Sequence, residues 1–172
     1  MHKMSTSTQN IQFSEAAMNR VKEYISHFPE GKQKSAILPV LHLAQDEFAW
    51  LSPEVMDYVA SLLSITSIEV YEVATFYSMY NLKPVGKYKL EFCRTSCCAL
   101  RGAEDLMDYT LQKLNIKEGE TTPDGLFTVI GVECLGACGY APMLQLGDNY
   151  MEHLTPESID TFIDQCRKAA TN

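Results

Sequence analysis

No apolar run in this chain of 172 residues approaches the roughly twenty residues that a membrane-crossing helix needs, so direct insertion into a bilayer is not expected. No G-x-G-x-x-G follows a strand-like segment and no Walker-type glycine loop is present. The chain therefore has no recognisable site of its own for NADH or a flavin. Basic charge is in the minority, 14 Lys and Arg against 22 Asp and Glu, and a net charge of -8 argues against a nucleic-acid surface. The opening MHKMSTSTQN lacks both the apolar core and the cleavage site of a secretory signal, which points to a cytoplasmic location. Internal repeats and low-complexity tracts are missing too, and the length allows one large domain or two small ones.

What the chain does have is six cysteines. In a reducing compartment they are not expected to form disulfides, and a chain of this size folds without such staples. Four of them fall into two pairs about forty residues apart, Cys93 with Cys98 in CRTSCC and Cys134 with Cys138 in CLGACGYAP. Four thiolates suit tetrahedral zinc or an iron-sulfur cluster. Structural zinc usually draws on tight knuckles with two to four residues between ligands, most often two, whereas the gaps here are four and three. A 2Fe-2S cluster needs two ligands on each of two irons, and the wider, unequal spacing favours it, although the plant-type ferredoxin spacing is absent. On spacing alone, a thiol oxidoreductase using Cys134-x3-Cys138 and a structural zinc protein stay open.

The first half reads as helices. Ser14 caps one whose apolar face is Met18, Val21, Ile25 and Phe28, with Phe13 stapling against Met18 before Pro29 and Gly31 end it. Ile37, Leu41, Ala44 and Phe48 mark a second stripe, and Pro39 is tolerable there only if Ser35 starts that helix. Ser52 and Pro53 open a third, lined by Val55, Met56, Val59 and Leu63. Thr66 and Glu69 form a capping box for a fourth, with Ile65 and Val70 as its staple.

After Asn81, Pro84 and Gly86 the period changes from helical to alternating. Tyr88, Leu90 and Phe92 share one face of a strand that ends at Cys93. A helix follows, with Cys98 where it begins and Ala103, Leu106, Met107, Leu111 and Leu114 on its buried face, and then an apolar strand from Leu126 to Val132. Strand, helix, strand implies a parallel pair with a right-handed crossover. Cys93 and Cys134 would then lie at the carboxyl ends of neighbouring strands, where open α/β sheets place ligands. Met143 to Leu146 and Asn149 or Tyr150 to Glu152 form a hairpin across Gly147 and Asp148. Thr155 and Pro156 start a last helix with Ile159, Phe162, Ile163 and Cys166 inward, Leu154 stapling Ile159 and Cys166 a core residue.

The flanks of the second pair carry a resemblance. Asp124, Phe127 and Thr128 precede Cys134, Leu135, Gly136, Cys138 and Pro142, and EVATFYSMY from Glu72, KPVGKY from Lys83, Cys93-x4-Cys98 and LTPE from Leu154 occur in the same order. Together they resemble the small 2Fe-2S subunit of the NADH dehydrogenase module of respiratory complex I, the E-subunit family of NADH:quinone oxidoreductase. The resemblance covers most of the chain from about Phe13 onward and implies an α/β protein: an N-terminal helical bundle, residues 1–82 with about the first twelve flexible, then a thioredoxin-like ferredoxin domain with a mixed sheet, residues 83–172. It implies Cys93, Cys98, Cys134 and Cys138 as the ligands of one 2Fe-2S cluster, and FMN and NADH held only by a larger flavoprotein partner subunit. It also implies a place in the peripheral arm of a membrane-associated complex, with the cluster off the main electron path and near the flavin. The isolated chain is then expected to leave NADH unoxidised. An NAD-linked hydrogenase or formate dehydrogenase reuses the same module and is the alternative parent.

Cys97 is the one departure, an extra thiol beside Cys98 that reads as a spare packed against its loop. Gly136 and Gly139 would let backbone N–H groups approach the sulfurs, or simply form a tight loop. Arg94 and Arg101 are weaker candidates for offsetting cluster charge. His27, His42 and His153 have no ligand-like spacing, Trp50 reads as packing, and Phe76 and Tyr77 fit either core or a partner surface.

Overall fold

The computed structural model describes residues 11–171. The readings of MHKMSTSTQN as carrying no signal and as flexible concern residues outside that range. The chain separates into two compact units, the first ending at Pro84 and the second beginning at Val85.

The first unit is helical: α1 (Glu15–Ser26), α2 (Ile37–Phe48), α3 (Pro53–Leu63) and α4 (Ser67–Phe76). Local chemistry starts three of the four. Ser14 Oγ accepts from the Ala17 N–H and Ser52 Oγ from the Val55 N–H, both at 3.2 Å, and Thr66 with Glu69 closes a capping box. Pro39 is accommodated differently from the sequence expectation. Ser35 lies in a 3-10 turn, Gln33–Ala36, and α2 begins only at Ile37. Pro39 thus falls in the first helical turn, where its missing N–H has no intrahelical partner to lose. Phe28 also departs from its reading: it follows the end of α1 and is exposed. Val21, Val40, Leu41, Leu51, Val59 and Leu63 make the centre of the core, and Phe13 stacks on Phe48 with ring centroids 5.5 Å apart. Trp50 is half-buried, while Phe76 and Tyr77 are exposed and meet edge to face at 4.9 Å.

The second unit holds β1 (Tyr88–Cys93), α5 (Ser96–Leu100), α6 (Ala103–Leu114), β2 (Phe127–Val132), β3 (Leu144–Leu146), β4 (Asn149–Met151) and α7 (Pro156–Thr171). Its mixed sheet has the order β2-β1-β3-β4, with β1 parallel to β2 and antiparallel to β3. Leu90, Phe92, Phe127, Val129 and Leu144 from the strands bury against Leu106, Met107 and Leu114 of α6 and Ile159, Ile163 and Cys166 of α7. Leu111 is only half-buried, and Thr110 takes the inner position instead, its hydroxyl donating to the Leu106 carbonyl at 2.7 Å. Tyr109 and Lys113 tie α6 to α7 through Asp160, at 2.7 and 2.6 Å. Gly147 supplies the positive φ, 57°, of the β3-β4 hairpin.

Two residues of the family resemblance act as scaffold. Asp124 accepts from the Leu126 N–H and the Thr122 hydroxyl, building the turn into β2, and Thr128 Oγ1 accepts from the Gly86 N–H at 2.7 Å. A Cβ at Gly86 would come 2.8 Å from the Phe127 backbone, so only glycine fits where the chain passes over β2. Among the described residues no single helix is long and apolar enough to cross a membrane.

Candidate metal centre

The parallel pair sets the site. Cys93 is in register with Val132, so β1 and β2 end level, and the Arg94 N–H adds one more rung by donating to the Val132 carbonyl at 3.0 Å. Cys93 closes β1, and Cys134 stands two residues past β2. Cys98 lies within α5, and Cys138 opens a 3-10 turn, Cys138–Tyr140. The helix after β1 is broken: α5 stops at Leu100 and α6 restarts after Gly102, which has φ 85°.

Cys93 and Cys98 are 3% and 2% exposed and pack with Ala103, Ala141 and Met143. Leu135 and Ala137, from the loop of the second pair, lean on the same cluster, so the two cysteine pairs converge. Cys134 and Cys138 are exposed, their sulfurs 3.9 Å apart. Two thiolates on one tetrahedral metal with bonds of about 2.3 Å have sulfurs about 3.8 Å apart, so this pair already has a ligand spacing. Among the described residues, no group of three or more His, Cys, Asp and Glu is placed to hold a single metal ion. A binuclear cluster asks for two thiolates on each iron, and two pairs are what the fold presents.

Electrostatics separates the two buried thiols. Burial opposes charge on Cys93, but the Thr95 and Leu135 N–H groups, the Cys98 thiol and the Thr95 hydroxyl together hold its pKa below the usual thiol value. Cys98 is pushed up to about 11, first by burial, then by the hydrogen bond it gives Cys93 and by the charge there. The charge of Cys138 adds to that rise, which shows that the exposed pair acts on the buried one. On the exposed side, the Gly136 N–H approaches Cys134 Sγ at 3.4 Å, and Gly136 has φ 79°. The loop is held from outside: Tyr150 donates its hydroxyl to the Leu135 carbonyl at 2.8 Å, and the His153 N–H donates to the Tyr140 carbonyl at 2.9 Å.

Several side chains turn away from the thiols. Arg94 pairs with Glu118 at 3.3 Å, and Arg101 is exposed at the end of α5. Cys166 is buried in the α7 core and Cys97 is exposed, so its side chain is not packed against the loop. The ring of His42 lies 5.2 Å from that of Tyr80, the ring of His153 lies 5.8 Å from that of Tyr140, and His27 sits beside Tyr24. The sequence did not reveal the N–H groups of Thr95, Leu135 and Met143 that face the buried sulfurs. They come from three separate segments, and only the sheet brings them together. Two thiol pairs on converging loops with backbone donors around them fit a 2Fe-2S cluster.

The sequence profile of the thioredoxin-like [2Fe-2S] ferredoxin family matches residues 21–167. The E subunit of NADH-quinone oxidoreductase from Rickettsia bellii is 44% identical over 165 residues, covering 95% of this chain and 99% of its own. The protein of the same name from Rickettsia felis is 45% identical over 157 residues, covering 91% and 94%. Among solved structures, an NAD+-reducing [NiFe]-hydrogenase in the air-oxidized state superposes with a TM-score of 0.71 at 21% identity over 83% of this chain. That match spans 24% of the hydrogenase chain and speaks to the fold alone. The chain belongs to the thioredoxin-like 2Fe-2S ferredoxins and, among them, to the E subunits of NADH-quinone oxidoreductase.

Proposed function

We propose that this chain is the one-electron carrier subunit of an NADH:quinone oxidoreductase, seated beside the FMN- and NADH-binding flavoprotein subunit in the peripheral, cytoplasmic arm of the complex. Two cysteine pairs converging at the carboxyl end of a parallel strand pair, in a chain 44% identical to an E subunit over 99% of that protein's length, carry the reading. Cys93, Cys98, Cys134 and Cys138 hold the cluster. When bound, the cluster exchanges one electron at a time, whereas NADH delivers a hydride, so a flavin in a partner must divide the pair.

The chain's own contribution is to hold four sulfurs and to surround them with donors. The N–H groups of Thr95 and Leu135 face Cys93, that of Met143 faces Cys98, and that of Gly136 faces Cys134. Such donors favour the more negative, reduced state. Leu135, Ala137, Ala141 and Met143 keep water from the inner pair. Residues 83–172 carry the electron, and the N-terminal domain, residues 1–82, serves docking.

Anaerobically purified protein is expected to be reddish-brown, with about two irons and two sulfides per chain. Stoichiometric zinc in place of iron overturns the reading. Co-expression with the flavoprotein subunit is expected to give a stable heterodimer with NADH:ferricyanide activity, while the isolated chain neither binds NADH tightly nor oxidises it.

A further inference from the structure

Thr95 lies between Cys93 and Cys98 in the chain, at the residue before α5, and its backbone is fully used. Its carbonyl accepts from the Cys98 and Ala99 N–H groups at 2.8 and 3.1 Å, and its own N–H faces the Cys93 sulfur. A threonine here ordinarily turns its hydroxyl onto the free N–H groups of the helix start. This one makes no capping bond. Its Oγ1 is instead shut off from solvent without a well-aligned partner. Leaving a buried hydroxyl unsatisfied costs about 1–3 kcal/mol, so native folds seldom keep one without a use. Cys93, two residues back in the chain and itself buried, is the neighbouring thiol that this hydroxyl acts on.

We propose that Thr95 sets the reduction potential of this centre: its hydroxyl donates a hydrogen bond to the Cys93 sulfur when that sulfur carries the charge of a bound cluster. The inference rests on Cys93 being a cluster ligand, as in the proposed function. Reduction adds one negative charge, and a donor aimed at a ligand sulfur stabilises the reduced state more than the oxidised one, which raises the potential. Thr95 is then a positioning residue that touches a ligand sulfur rather than the irons that take up the electron. The exposed Cys134 has a backbone donor, the Gly136 N–H at 3.4 Å, so the side-chain hydroxyl distinguishes the inner ligand.

The test compares the full-length wild type with Thr95→Val, which keeps the shape without the hydroxyl, and Thr95→Ser, which keeps the hydroxyl without the methyl. Iron and sulfide are counted, and the midpoint potential is read by EPR-monitored redox titration. Thr95→Val is expected to hold a full cluster whose reduction constant is lower by about tenfold, or about 59 mV for a one-electron couple, with Thr95→Ser close to wild type. A valine variant that titrates with the wild type overturns the proposal, as does a serine variant displaced as far as valine, which would indicate packing. Loss of iron from either variant overturns it as well, because Thr95 would then be needed for assembly rather than tuning. A wild-type chain without iron fails the proposed function first, and this inference with it. Two irons with an unmoved potential fail this inference alone.

Discussion

The two cysteine pairs are held in opposite ways. Cys93 and Cys98 are sealed by packing at the end of a strand and in a short helix, whereas Cys134 and Cys138 sit in the open on a loop shaped by backbone hydrogen bonds. Burial raises both inner thiols, and hydrogen bonds split them: donors around Cys93 draw it toward the thiolate, while Cys98, which donates to it, is pushed up to about 11. The outer sulfurs lie at ligand spacing without being buried. On the proposed assignment, the ligands of one centre share no common environment. In that assignment the dry pair would fix where the centre sits, and the wet pair would leave one edge of it exposed.

The sharpest way to break this contrast is at the CysCys step. Cys98→Ser is expected to lose or markedly alter the cluster EPR signal, while Cys97→Ser keeps it, because Cys98 is buried beside Cys93 and Cys97 is exposed. The reverse result would move the ligand to Cys97. If both single variants keep an unaltered signal, exchange between the two thiols becomes the better account.

A smaller effect separates the pairs without iron. In the metal-free chain, Cys97, Cys134 and Cys138 are expected to react with a thiol-labelling reagent at least roughly 100-fold faster than Cys93, Cys98 and Cys166, since a buried thiol must wait for local opening. Mass spectrometry of timed samples reads the order. Equal rates for all six would mean that the inner pocket is not sealed.

The smallest effect is a control in the first unit, which holds none of the cysteines. Glu69 is lowered from 4.5 to about 2, first by its hydrogen bond from Lys34, then by the Thr66 N–H and hydroxyl. A depressed carboxylate stabilises the fold above its unfolded value and loses that contribution as pH falls through the folded one. Acidification from about pH 4.5 toward 2 should therefore loosen α4 in wild type more than in Glu69→Gln, by a slight margin because the pair is solvent-exposed. Far-UV circular dichroism against pH measures it, and identical acid profiles would rule it out.

Helix starts were legible in the sequence because caps are local: Ser14, Ser52 and the Thr66–Glu69 box each act over three residues. The alternation of Tyr88, Leu90 and Phe92 marked β1 for the same reason. The break between α5 and α6 was not read from the sequence, where one helix follows β1, because it depends on a left-handed backbone at Gly102 that periodicity does not reveal. The four cysteines could be found by spacing and family resemblance. The donors around them could not, since Thr95, Leu135 and Met143 are ordinary residues until strand pairing gathers them. Phe76 and Tyr77 fitted core or surface equally well as apolar residues, and only the packing of α4 put them outside.

The level ending of β1 and β2 has a consequence for quality control. A sheet zipped one residue out of step would turn every side chain of β1 to the opposite face and displace Cys93 by about 3.3 Å. Such a molecule could bury much of the same surface and still offer no place for four thiolates to meet. On the proposed ligand set, iron uptake would therefore proofread the strand register, and the brown colour per mole of chain would count the molecules that zipped correctly.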